Sequence, residues 1–182
     1  MRVIVIGTIH LEWTPKDELW QVLDDINPDQ VLVELSQEEL HERPRNDSIR
    51  DEMFAAYDWA VAHNKLVNHF DNEYSPLKDG VTGKEPEFLE HELKSKDMLK
   101  NYSWQDLNRP EPWQISEVKE LEDKITKQYF DVEKSKEREQ QMLKVIRAKL
   151  IDGVNVIVTG AGHLSFFENE LRGAELPFRY ET

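Results

Sequence analysis

The chain contains no cysteine. Disulfides and thiolate metal sites are therefore excluded, and any metal would have to be held by histidine and carboxylates. No stretch approaches the roughly 20 consecutive apolar residues that a membrane-spanning helix needs. The first apolar run, Val3–Ile6, is too short for a signal peptide and reads as a strand. Basic residues are scarce: 23 Lys and Arg stand against 37 Asp and Glu, giving a net charge of −14. Such a surface repels phosphate backbones and anionic lipid, so neither nucleic acid nor membrane is an expected partner. These absences point to a soluble, cytoplasmic protein.

What is present suits one domain. The 182 residues are enough to bury a core without staples. Hydrophobic residues make up 38% and charged residues 33%, and the apolar ones recur periodically, which predicts long solvated helices rather than disorder. The continuous apolar run Val3–Ile6 fits a strand buried on both faces, Gln30–Leu35 reads as a second buried strand, and Lys65–Phe70 and Val154–Thr159 read as further strands. Helical patterns lie between them. One opens at Thr14-Pro15, with Thr14 as N-cap and Pro15 at the first helical position. Others cover Asp47–Asn64 and Glu85–Tyr102, with a short one at Gln37–His41. The longest runs from Ser116 to Asp152 and is closed by Gly153. A helix follows the last core strand to about Leu171, and Phe178–Tyr180 reads as an edge strand. The expected fold is α/β: a central, mostly parallel sheet of four to five strands flanked by helices, with one long helix before the last core strand.

One pattern is spelled twice. Val3–Trp13 reads VIVIGTIHLEW and Val156–Phe167 reads VIVTGAGHLSFF. Each is a buried strand, a glycine, two further residues and a histidine. Parallel sheets bind ligands beyond the carboxyl ends of their strands. At that edge the four strands would deliver Gly7 and His10, Glu34, Asp71, and Gly160 and His163. Glu34 lies in an otherwise apolar run, where a carboxylate is costly unless paired. Glycine permits a tight turn or a close backbone approach to a ligand. Two such turns, each carrying one imidazole, suit a two-histidine metal site or an acid/base pair. Trp13 and Phe166 follow the two histidines and are expected to wall the pocket.

Arg138 is placed by arithmetic. From Leu150 back to Arg138 is about 18 Å of helix, and from Val154 forward to Thr159 is about 17 Å of strand. Arg138 should therefore sit level with the Gly160–His163 turn. It shares a face with Met142 and Val145, so it is a candidate oxyanion stabiliser. Its neighbours Glu137 and Glu139 read as a solvated face. His41, His63 and His91 read as surface histidines, and His69 as packing or near-site.

Together these residues resemble the TraB/TIKI superfamily, which also takes in GumN-like and erythromycin-esterase-like proteins. The resemblance rests on Gly7-Thr8-Ile9-His10, Glu34 at the end of Val31-Leu32-Val33, Glu137-Arg138 with Met142, and Gly160-Ala161-Gly162-His163-Leu164. It spans nearly the whole chain, as one domain over residues 1–182 with a helical insertion at about 85–113. It implies one active site built from both Gly-x-x-His turns. TIKI-like members are described as metal-dependent proteases using manganese or cobalt. Esterase-like members use His and Glu to activate water without metal, and other members bind peptides or haem-related ligands.

The expectation is a hydrolase with a peptide or small-molecule substrate. His10, Glu34 and His163 would hold a divalent ion (Mn, Co, Zn or Fe suits such ligands), and Asp71 would be an additional ligand or substrate contact. Arg138 would stabilise the oxyanion, and Gly7, Gly160 and Gly162 would let backbone approach the substrate. Two alternatives are a metal-free His/Glu hydrolase and a ligand-binding protein without turnover. One departure stands out: relatives often carry Asp-Arg after the third strand, where this chain has Asp71-Asn72. The role of the 85–113 insertion is not legible, a lid being one reading, and the sequence leaves homo-oligomer formation open.

Overall fold

In the computed structural model, residues 1–9, 14–42, 51–72 and 75–178 are described. His10 and Trp13 lie outside them, as do Arg179 and Tyr180 of the expected edge strand. The chain folds as a mixed α/β protein around four parallel strands. These are β1 (Arg2–Thr8), β2 (Gln30–Val33), β3 (Leu66–His69) and β4 (Val154–Gly160), in the order β1-β4-β2-β3. The helices are α1 (Lys16–Ile26), α2 (Gln37–Glu42), α3 (Asp51–Ala62), α4 (Pro86–Leu99), α5 (Pro110–Gln114), α6 (Ser116–Tyr129), α7 (Val132–Lys149) and α8 (Leu164–Glu170). Single 3-10 turns cover Asp106–Asn108 and Ala161–His163. Among the described residues no helix is long and apolar enough to cross a membrane.

The alternation of side chains explains why the central stretches of β1, β2 and β4 are apolar on both faces. Ile4, Ile6, Val31, Val33, Val156 and Val158 face one way and pack with Leu19 and Leu23 of α1 and Met53 and Trp59 of α3. Val5, Leu32 and Ile157 face the other way, onto Met142 and Ile146 of α7 and Leu164 and Phe167 of α8. The sheet is thus sandwiched between helix layers. A separate apolar cluster, Phe88, Leu121, Ile125 and Tyr129, joins α4 to α6.

Register aligns the carboxyl ends of the strands. Thr8 pairs with Gly160, and Val33 pairs with both Val158 and His69. The ladder runs one step further through Glu34 N–H to Val158 O (3.1 Å) and Asp71 N–H to Leu35 O (3.2 Å). Glu34 and Asp71 therefore leave the sheet side by side.

Two local expectations are corrected. The long helix before β4 is present, but it begins at Val132 and does not run on from Ser116. Phe130 is extended (φ −99°, ψ 145°) and bridges Leu77. The Asp131 carboxylate then accepts from the N–H groups of Glu133 (3.0 Å) and Lys134 (3.1 Å), an N-cap that starts α7 afresh. Thr14 does not cap α1; its hydroxyl accepts from the N–H of Ile9 (3.1 Å) instead, and Pro15 takes the cap position.

Candidate active site

Glu34 is 2% exposed and its two carboxylate oxygens look in different directions. Oε2 accepts from Thr159 Oγ1 (2.6 Å) and from the N–H of Gly160 (2.8 Å). Oε1 accepts from Nη2 of Arg138 at 2.9 Å. Asp71 holds the same guanidinium from another side, its oxygens accepting from Nε (3.0 Å) and Nη2 (2.6 Å). Such a two-point grip fixes a guanidinium's plane as well as its position. Arg138 is itself 8% exposed. The cation that an Asp-Arg pair would place beside Asp71, and that Asn72 lacks, is supplied by α7.

The third nitrogen of that fork completes the cluster. Nη1 of Arg138 lies 3.3 Å from Nε2 of His163, which is also 3.6 Å from Glu34 Oε1. The other ring nitrogen, Nδ1, faces Glu139 Oε1 at 2.9 Å. In the neutral ring this pairing selects the tautomer with the proton on Nδ1, donated to Glu139, and the lone pair on Nε2. Glu139, read from sequence as solvated, is thus a member of the site. The signal was there: Glu139 lies four residues before Leu143 and seven before Ile146, both buried on α7.

Electrostatics follow from these contacts. Burial alone would push the Glu34 carboxyl up. Positive charge on His163 when it is protonated and the guanidinium of Arg138, with the bonds from Thr159 and Gly160, outweigh it and bring its pKa from 4.5 down to about 2. Burial also works against the Arg138 cation, but its bond to Asp71 and the charges of Glu34 and Asp71 prevail, and its pKa is raised. Glu34 stays ionised and Arg138 charged throughout the neutral range.

A cavity of about 490 Å³ opens from this cluster, lined on the sheet side by Thr8, Glu34, Arg138, Gly160, Gly162 and His163. Of the glycines expected to approach a substrate, Gly162 lines it, and a methyl group there would meet nothing within 4 Å. Gly160 also lines it, but its N–H is committed to Glu34. Gly7 has a different use. A methyl group there would come within 2.6 Å of Leu164 Cδ1 and 2.8 Å of Asn108 Oδ1. The Asn108 amide clasps Gly7 from both sides, accepting from its N–H and donating to its carbonyl, each at 2.7 Å. So the first glycine of the echo is bare because the leucine of the second and the helical insertion both pack onto it. Asn108 was missed, since nothing in the local pattern marks it. Phe166, expected to wall the pocket, packs against Phe167 with ring centres 5.4 Å apart; Trp113, Phe88 and Phe130 line the cavity instead.

The described residues do not fit the divalent metal that the resemblance implied. Among them no three His, Asp or Glu side chains are grouped to hold an ion. The donors expected to do so are turned to other partners. Glu34 is divided between Arg138 and the Thr159–Gly160 turn, and His163 between Arg138 and Glu139. The guanidinium already supplies positive charge between the carboxylates, and a divalent cation beside it would be repelled. His10, the remaining expected ligand, lies outside the described residues.

No family model, no curated protein and no solved structure matches the chain.

Proposed function

We propose that this chain is a metal-independent hydrolase of carboxylic esters or amides, of the TraB/TIKI type and nearest in chemistry to its esterase-like members. The observation that carries this reading is the sequence of contacts Glu139–His163–Arg138 at the edge of the cavity. It has the parts that water activation needs: a base, a carboxylate that orients it, and a fixed cation.

In this reading a water takes the place of the Arg138 Nη1 contact at Nε2 of His163 and gives that nitrogen its proton as it attacks the substrate carbonyl. Glu139 holds the Nδ1 proton and stabilises the imidazolium that forms. Negative charge develops on the carbonyl oxygen, and Nη1 of Arg138 stabilises it from the cavity wall. Nε2 then returns the proton to the leaving alcohol or amine. Glu34 and Asp71 do not touch the reacting atoms; they hold the guanidinium so that it need not reorganise during the reaction. His10 is assigned the second acid/base role on the sequence echo alone. The work is done in the cytoplasm in this proposal.

The test is hydrolysis of a panel of p-nitrophenyl esters and p-nitroanilides by the wild-type protein and by His163→Ala. The expected result is turnover that falls at least 100-fold in the variant while the melting temperature is kept. Equal turnover by both proteins would sink the reading. Ligand binding without product from any substrate would favour a binding protein over an enzyme.

A further inference from the structure

The cavity is lined as well by helices of the 85–113 insertion and by α6 beyond it. Phe88 and Leu99 of α4, Trp113 of α5, and Ile125 of α6 line it, together with Phe130 and with Ile9 beyond β1. Several polar side chains line the same space. Ser95 Oγ donates to Glu122 Oε1, so these two satisfy one another across the α4–α6 contact. Glu92 and Lys96, one turn apart on α4, carry opposite charge. Within the cavity the carboxylates Glu34, Glu92 and Glu122 outnumber the cations Arg138 and Lys96.

From this we infer that the α4–α6 wall is a specificity pocket for the apolar part of a small, uncharged ester or amide. The inference rests on the hydrolase reading for the bond that is broken, but not for the shape of the pocket. Volume argues for a small molecule: about 490 Å³ lies in the range of sites that enclose one. Wall chemistry argues for hydrocarbon, because Phe88, Leu99, Trp113, Ile125 and Phe130 line the same cavity as the Glu34–Arg138–His163 cluster. Charge argues against an anion, since a carboxylate on the substrate would enter a space with excess negative charge. A substrate placed with its carbonyl at Arg138 and His163 would lay its alkyl or aryl group along α4 and α6. The α4–α6 wall then sets chain-length preference, while the sheet edge performs the reaction.

The experiment uses N-alkyl acetamides from ethyl to decyl as probes, with binding measured by calorimetry on the full chain. Affinity is expected to rise roughly fourfold per methylene over the first several carbons, then level off where the pocket is full. Fatty-acid anions of matching length are expected to bind at least tenfold more weakly. In Ile125→Asn, the gain per methylene should shrink, with folding checked by circular dichroism; if this variant does not fold, the wild-type series decides alone. Affinity independent of chain length would overturn the pocket, and equal binding of the anions would overturn its restriction to uncharged ligands. Turnover of p-nitrophenyl esters of the same lengths is scored separately. Graded binding with no turnover contradicts the hydrolase reading and leaves the pocket standing; turnover without graded binding does the reverse.

Discussion

Nη1 of Arg138 faces Nε2 of His163 at 3.3 Å, so the ring nitrogen best placed to bind a metal or accept a proton is turned toward a guanidinium. Since Glu139 takes Nδ1, the imidazole is held from both ends. An arginine in that position changes which chemistry the two histidine turns can support, and the predictions below follow from it.

Arg138 neutralises two buried carboxylates, and removing it leaves both without that cation. Arg138→Met should cost about 3–5 kcal/mol of stability, seen as a lowered midpoint in urea unfolding. Arg138→Lys should recover only part of it, because a point charge cannot reproduce the fork that spans Glu34 and Asp71. A methionine variant as stable as wild type would show that the cluster carries no net folding energy.

Acid should expose the Glu34 contribution. Its pKa is about 2 in the folded protein against an ordinary 4.5. A depressed carboxylate stabilises the fold above its unfolded pKa and loses that stabilisation as pH falls through its folded pKa. Wild type should therefore exceed Glu34→Gln by on the order of 3 kcal/mol near pH 6, and the gap should close between about pH 5 and pH 2. Urea melts at several pH values check it; a gap that is constant with pH would contradict the assignment.

In the proposed mechanism Glu139, 2.9 Å from Nδ1 of His163, orients the ring without touching the substrate. Glu139→Gln should lower kcat on ester substrates by roughly 100-fold while changing KM and the melting temperature little. Loss of stability matching the loss of rate would mean that the contact is merely structural.

The two glycine turns are not equivalent in what they tolerate. Gly7→Ala meets Leu164 and Asn108 at under 3 Å, so it should cost about 1–3 kcal/mol. Gly162→Ala, with open space around the added methyl, should leave stability within about 0.5 kcal/mol. Thermal melts of the two variants side by side give the comparison. Equal effects would show that the close approach at Gly7 is relieved by small shifts.

How much of this was legible depended on whether the cause was local. Val3–Ile6, Gln30–Leu35 and Val154–Thr159 spell strands because both faces of a sandwiched sheet need apolar side chains, and that requirement is written in consecutive residues. Arg138 could be placed at the Gly160–His163 turn because helix and strand rises are fixed. Asp71 beside Glu34 followed from parallel strands ending at one edge. By contrast, the break at Phe130 depends on a bridge to Leu77, far away in sequence. Asn108 acts on Gly7 across the insertion, and no periodicity announces a partner 101 residues distant. Glu139 was hidden by its flanking charges, although its helical phase pointed inward.

The most direct test of the central claim is to measure kcat/KM for p-nitrophenyl hexanoate before and after exhaustive dialysis against a chelator, followed by addition of Mn, Co, Zn or Fe. With Arg138 as the cation of the site, the rate should survive chelation unchanged and none of the four ions should raise it. Activity that collapses on chelation and returns with one of these metals would contradict the account.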